Sequence, residues 1–176
     1  VNRAMSRYGS VIQITDQPSV NPIIVTRGSV IALPADSKKV LMLSVMDGKP
    51  VAPPVDRRGH SDLSAIDPDR ILLSGPGLMV LSTVTGKELH KTPGMDIVGR
   101  PAVSGGSVLA SGQGRLIRLD LEDYSRSTRV FTNSDCLLGN LLCVDGKLIA
   151  SNTAGVCVYL SYDDSIAGLS KRIAEY

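Results

Sequence analysis

Leu78–His90, LMVLSTVTGKELH, decides the fold. It reads as an apolar, β-branched run, a Thr85-Gly86 turn and the start of a second, more polar run. Runs of this kind flanking a turn signal mark an antiparallel hairpin. The same pattern recurs along the chain. Strand-like runs begin at Val40, Leu78, Leu116 and Val156, so successive starts lie 38, 38 and 40 residues apart. A second set precedes them, VIALPAD from Val30, ILLSGPG from Ile71, VLASGQG from Val108 and LIASNTA from Leu148. A third comes earlier still, PIIVT from Pro22, LSAID from Leu63, PAVSG from Pro101 and LLCVD from Leu141. Turn residues separate the sets, at Arg27-Gly28, Asp67-Pro68-Asp69, Gly105-Gly106 and Asp145-Gly146. A fourth, more polar run follows each of the first three units, KPVAP from Lys49, KELHK from Lys87 and STRVF from Ser127. A polar last strand suits an outer edge.

Four short antiparallel strands in about 40 residues are the dimensions of a propeller blade. The expected fold class is therefore all-β, a β-propeller with about four four-stranded blades in this chain. The repeats are placed at about 21–57, 62–98, 101–138 and 139–163. The inner runs are continuously apolar because both sheet faces would pack on neighbouring blades. The fourth unit lacks an outer run. Residues 164–176 instead carry Ile166, Leu169, Ile173 and Tyr176 on one helical face, after Asp163 or Asp164 as N-cap. A short C-terminal α-helix, opening a helical segment, is expected there. Val11–Thr15 has no partner of its own. It either completes blade four and closes the ring or belongs to a blade preceding residue 1. An unclosed half ring would expose two apolar blade faces.

Composition suits a folded protein. Of 176 residues, 43% are hydrophobic and 20% charged, with a net charge of +2. Lys38-Lys39 and Arg57-Arg58 are isolated pairs, so no nucleic-acid patch is expected. No apolar run reaches the roughly 20 residues of a membrane helix. The chain starts at Val1 without a signal pattern, so it reads as a piece of something longer. Cys136, Cys143 and Cys157 lack zinc-site spacing, and Cys143 and Cys157 read as small buried strand residues. Five Tyr, one Phe and no Trp argue against a carbohydrate-binding surface built on stacking.

VLSTVTGKELHK, LIRLDLEDYS and VLMLSVMDGKPV together resemble the PQQ-type propeller repeat. Leu119-Asp120 matches that repeat's leucine-aspartate, Thr85-Gly86 its threonine-glycine turn with Asp47-Gly48 standing in for it, and Ala110 and Ala150 its small residue. The resemblance covers about Asn21 to Asp163. It implies a repeat found in eight-bladed quinoprotein enzymes and in the propeller lipoprotein of outer-membrane barrel assembly, with a periplasmic or extracytoplasmic setting. His90 stands where the repeat puts its blade-docking tryptophan, so docking is expected to rest on Leu, Val and Ile.

Chemistry is sparse. Asp62, Asp67 and Asp69 read as turn residues. His60 and His90 are expected at the surface. The glycine-rich stretches lack P-loop order, and no GxSxG element occurs. No catalytic, cofactor-binding or metal residue and no cofactor is assigned. The longest polar connections, Val55–Leu63 and Thr132–Leu141, offer Arg57, Arg58, His60, Asn133 and Asp135 as candidate partner contacts. The resulting expectation is a non-catalytic scaffold or protein-interaction module. Its partner would be another protein or a second copy of the chain completing a propeller. The alternative is a fragment of a quinoprotein oxidoreductase whose cofactor site lies elsewhere.

Overall fold

A computed structural model describes residues 3–5, 11–13, 23–92, 94–112, 114–130, 139–153 and 155–159. Asn133, Asp135, Cys136 and the expected helix over 164–176 lie outside them. The chain forms β1 (Arg3–Met5), β2 (Val11–Gln13), β3 (Ile24–Thr26), β4 (Ser29–Ala32), β5 (Lys39–Ser44), β6 (Val55–Asp56), β7 (Asp62–Asp67), β8 (Arg70–Gly75) and β9 (Gly77–Ser82). It continues with β10 (Glu88–Lys91), β11 (Ala102–Ser104), β12 (Ser107–Gly112), β13 (Arg115–Asp120), β14 (Arg126–Val130), β15 (Asn140–Val144), β16 (Lys147–Asn152) and β17 (Gly155–Tyr159). Three sheets hold four strands in chain order, β3–β6, β7–β10 and β11–β14, and a fourth holds β15–β17. All pairings are antiparallel. These are blades 1 to 4. β2 pairs with β1 in a separate two-stranded sheet, so it is not the fourth strand of blade 4.

The repeat is visible in individual hydrogen bonds. Ser44, Ser82 and Asp120, each 38 residues apart, donate their backbone N–H to the Lys49, Lys87 and Ser125 carbonyls at 2.8–2.9 Å. Val45, Thr83 and Leu121 donate to the carbonyls of Gly28, Asp69 and Gly106 at 2.7, 2.8 and 2.9 Å, tying the third strand to the first turn of its own blade. Side chains at the first set cap the turn. Asp120 Oδ1 accepts from Glu122 N–H, and Ser44 and Ser82 Oγ do the same for Met46 and Val84. Leu119-Asp120 thus combines a packed leucine with a turn acceptor, and serine does that second task in blades 1 and 2.

First-strand turns differ by sequence. Arg27-Gly28, Gly105-Gly106 and Asp145-Gly146 have positive φ at both positions, as a two-residue type I′ hairpin requires. In blade 2 the middle residue is Pro68, whose ring fixes φ near −65°. That turn takes another form, and the register shifts between Ala65 and Asp67. Blade 1 departs at its outer strand. Lys49–Pro53 was the expected run, but only an isolated bridge at Pro50 forms there, and the strand is the two-residue Val55–Asp56. Pro50, Pro53 and Pro54 lack the N–H that a continuous ladder needs.

Blades pack face to face through side chains of alternating parity. Ile31, Val40 and Met42 of blade 1 meet Leu63, Ile71 and Leu73 of blade 2. The opposite face of blade 2, with Leu72, Leu78 and Val80, meets Val108, Ile117 and Leu119 of blade 3. Ala102 and Leu109 of blade 3 meet Leu141 and Ala150 of blade 4. Blade 2 is therefore covered on both faces, which is why ILLS and LMVL have no polar alternation. First strands of neighbouring blades also approach one another, β3 to β7, β7 to β11 and β11 to β15. They form the inner side of the arc, with β6, β10 and β14 outside. No strand of blade 1 contacts one of blade 4, so the described residues make an open arc.

Candidate partner-binding surface

Strands alternate in direction, so one end of the arc holds the turns β3–β4, β7–β8 and β11–β12. The other end holds Gly75–Gly77 and the connections between blades. At the first end, blades are tied by polar links. Arg27 Nη1 lies 3.1 Å from Asp69 Oδ1, and Thr26 Oγ1 donates to the Pro68 carbonyl at 2.8 Å. Arg70 Nε donates to Asp67 Oδ2 at 2.7 Å, while its Nη1 reaches the Leu121 carbonyl of blade 3 at 2.8 Å. Burial would raise the Asp67 carboxyl, but bonds from Arg70 and the Asp69 N–H outweigh it and hold it below its ordinary value. Asp67 and Asp69 therefore serve the turn and the blade junction.

The expected contact loop lies at the second end. Arg57 is half-buried, and its carbonyl accepts from His60 N–H at 2.8 Å and from His60 Nδ1 at 2.7 Å. Arg58 adopts φ 46° and pairs with Glu88 Oε2 of blade 2 at 3.0 Å. His60 is not at the surface. It is 1% exposed, packed where the connection crosses from blade 1 to blade 2. Its Nε2 is buried without a hydrogen-bond partner. Burial drives the ring's pKa below its ordinary value, against the opposing bond to Arg57. Reading DRRGHSD as polar and therefore exposed missed that the loop folds over its own histidine. Arg58 alone of these three presents an exposed side chain, and Glu88 holds it. Asn133 and Asp135 lie outside the described residues.

His90 also departs from expectation. It is half-buried and stacks on Tyr124 of blade 3, with ring centroids 4.5 Å apart and planes at 1°. A ring pair therefore docks adjacent blades here, where Leu, Val and Ile alone were expected. Tyr124 itself sits at φ 58°, where blades 1 and 2 have Gly48 and Gly86. The cysteines divide. Cys143 is a half-buried free thiol, pushed up by burial, whereas Cys157 is half-buried and disulfide-bonded rather than a plain core residue.

An open cleft of about 650 Å³ lies beside blade 3, lined by Met95, Asp96, Arg115 and Arg126 among others. Arg126 Nη1 faces Met95 Sδ at 3.2 Å. Both arginines are exposed, and nothing encloses a ligand there.

The larger feature is the pair of blade faces at the ends of the arc. On blade 1, Val25, Val30 and Leu43 are cross-strand neighbours on the side away from blade 2. On blade 4, Leu142, Ile149 and Val158 are cross-strand neighbours on the side away from blade 3. Val25 is 65% exposed, Leu142 56% and Val158 54%. These are the contiguous apolar rows that the described residues leave uncovered.

No family model matches the chain, and no curated protein matches its sequence. Solved structures do match its fold. BamB from Moraxella catarrhalis, a propeller, has a TM-score of 0.59 at 20% identity, over 86% of this chain and 48% of BamB. This chain is a β-propeller arc. The computationally designed Ika4 protein matches with a TM-score of 0.61 at 16% identity, over 80% of this chain and 91% of its own. The designed Ika8 protein matches at 0.63 and 15%, over 79% and 45%. The propeller thus spans about half the length of BamB and of Ika8.

Proposed function

We propose that this propeller arc is a non-catalytic scaffold or protein-interaction module of the PQQ-like kind. The observation that carries the reading is the pair of apolar end faces, since burying such rows is the main driving force of association. BamB, at 20% identity, supports the architecture alone. The Cys157 disulfide supports an extracytoplasmic setting, because cytosolic thiols are kept reduced. Arg57, Arg58, Asn133 and Asp135 remain proposed partner contacts. His60, being buried, makes no direct contact and acts on the loop's shape.

Two measurements test the reading. Chemical cross-linking read by mass spectrometry should join lysines at the rims of blades 1 and 4, such as Lys39 and Lys147, to a protein partner. Addition of pyrroloquinoline quinone with calcium to the full-length protein that carries this segment should leave the quinone absorbance unchanged. A saturable absorbance change would overturn the scaffold reading in favour of a quinoprotein fragment.

A further inference from the structure

The outer strands differ in what they offer to another chain. In blade 1, β6 is two residues long and follows Pro50, Pro53 and Pro54, and in blade 2 the ladder of β10 shifts register between Glu88 and His90. Prolines, short strands and bulges are how sheets protect an edge from pairing. The outer strand of blade 3 carries none of these. β14 runs five residues, Arg126–Val130, and pairs with β13 in unbroken register.

The ladder fixes which backbone groups of β14 are free. Asp120 donates its N–H to the Ser125 carbonyl at 2.9 Å. Bonded and non-bonded pairs alternate in an antiparallel ladder. Arg118–Ser127 and Leu116–Arg129 are therefore bonded pairs, and Leu119–Arg126 and Ile117–Thr128 are not. The N–H and C=O of Arg126 and Thr128 thus point away from β13, onto the outer edge, where no described residue takes them. A row of such groups is a template for an added strand.

The chemistry beside that edge is cationic. The cleft of about 650 Å³ opens along it, lined by Arg126 and Thr128 of β14 and Arg115 of β13. Arg126 Nη1 meets the Met95 thioether, a weak acceptor. Among the described residues, neither Arg126 nor Arg115 is in an ion pair. Asp96 is the one carboxylate among the described lining residues, so two positive charges face one negative. Side chains of an added strand alternate between the sheet faces, and every second one would enter this cleft. Opposite charges across a strand pair are favourable and like charges are not, so Arg126 selects an acidic strand.

Blades 2 and 4 of the same chain already flank blade 3. Any further blade joins at an end of the arc and leaves the outer edge of β14 open. We infer that β14 takes an extended acidic peptide of a partner protein as a fifth strand of blade 3, with carboxylates at alternate positions facing Arg126 and Arg115. This rests on the interaction-module reading and names the class of its ligand.

The test uses the full-length protein that carries this segment and a fluorescein-labelled peptide of about seven residues that alternates valine and glutamate. Fluorescence anisotropy should show saturable binding below roughly 1 mM. Glutamine in place of the glutamates should weaken it about tenfold, and so should Arg126→Glu. Thr128→Pro removes an outward N–H and spares the ladder to β13, so the protein should fold and binding should fall about tenfold. Far-UV circular dichroism checks the fold of each variant. Peptide N-methylation repeats the test with the protein unchanged. Methylating either the valines or the glutamates should abolish binding, and methylating the other set should spare it. No saturable binding, equal effects of the two methylations, full binding by folded Thr128→Pro, or equal binding of a peptide with its glutamates grouped together would each overturn the inference. Tighter binding of a single-stranded oligonucleotide would overturn it too, in favour of a phosphate site. All of these outcomes leave the interaction-module reading standing, since that reading fails on quinone binding instead.

Discussion

At the scale of single residues, burial and backbone conformation matter more than residue type. His60 is polar in a polar loop, yet it is sealed with one ring nitrogen bonded to Arg57 and the other without a hydrogen-bond partner. Lys91 and Arg58 nearby add to the effect of burial in disfavouring its charged form, and Glu88 opposes them. Its folded pKa lies below the unfolded value of about 6.5, so the unfolded chain takes up a proton first. The native state should therefore lose stability as pH falls from about 7 through that value. Urea midpoints between pH 7.5 and 5 should decline in the wild type and decline less in His60→Leu. Parallel slopes would show that the ring does not carry the dependence. A second case is Tyr124, a bulky residue at φ 58°. Left-handed backbone costs about 1–2 kcal/mol there. The stack on His90 offsets part of it, at about 0.5–1.5 kcal/mol for a ring pair. A double-mutant cycle of His90→Ala and Tyr124→Gly should return a coupling of that size. Zero coupling would mean that the rings merely lie side by side.

At the scale of elements, the four-strand unit was legible because its cause is periodic. Apolar runs, turn residues and a step of 38 to 40 residues all point to the same sheet. Three details were hidden. The capping role of Ser44 and Ser82 was masked because serine and aspartate look unlike in a motif but offer the same acceptor. The stub at Val55–Asp56 was masked because KPVAP looks like a strand until its missing N–H groups are counted. The burial of His60 was illegible because it arises from loop closure, which leaves no periodic trace. The end faces were foreseeable as a consequence of an open ring, although which rows they comprise required the register. The cap makes a prediction that belongs at this scale. Asp120→Ala should destabilise the protein by about 1 kcal/mol by freeing the Glu122 N–H, and Asp120→Ser should recover most of that loss. Chemical denaturation would check it, and equal losses in the two variants would remove the cap from the account.

At the scale of the whole molecule, stability is set by how many faces each blade covers. In a repeat array every unit depends on its neighbours, so end units are weakest when they have one neighbour only. Blade 2 is sealed on both sides, with Ile71, Leu72, Leu73, Met79 and Val80 all 0% exposed. Blades 1 and 4 are sealed on one side each. An isolated arc should then exchange its amide hydrogens in a graded order, slowest in β8 and β9, intermediate in β12 and β13, and fastest in β16 and β17. Hydrogen exchange read by mass spectrometry on the wild type checks this order. Equal protection of β8, β12 and β16 would show that the number of covered faces does not set the stability of a blade, and the nearest-neighbour account would then fail for this arc.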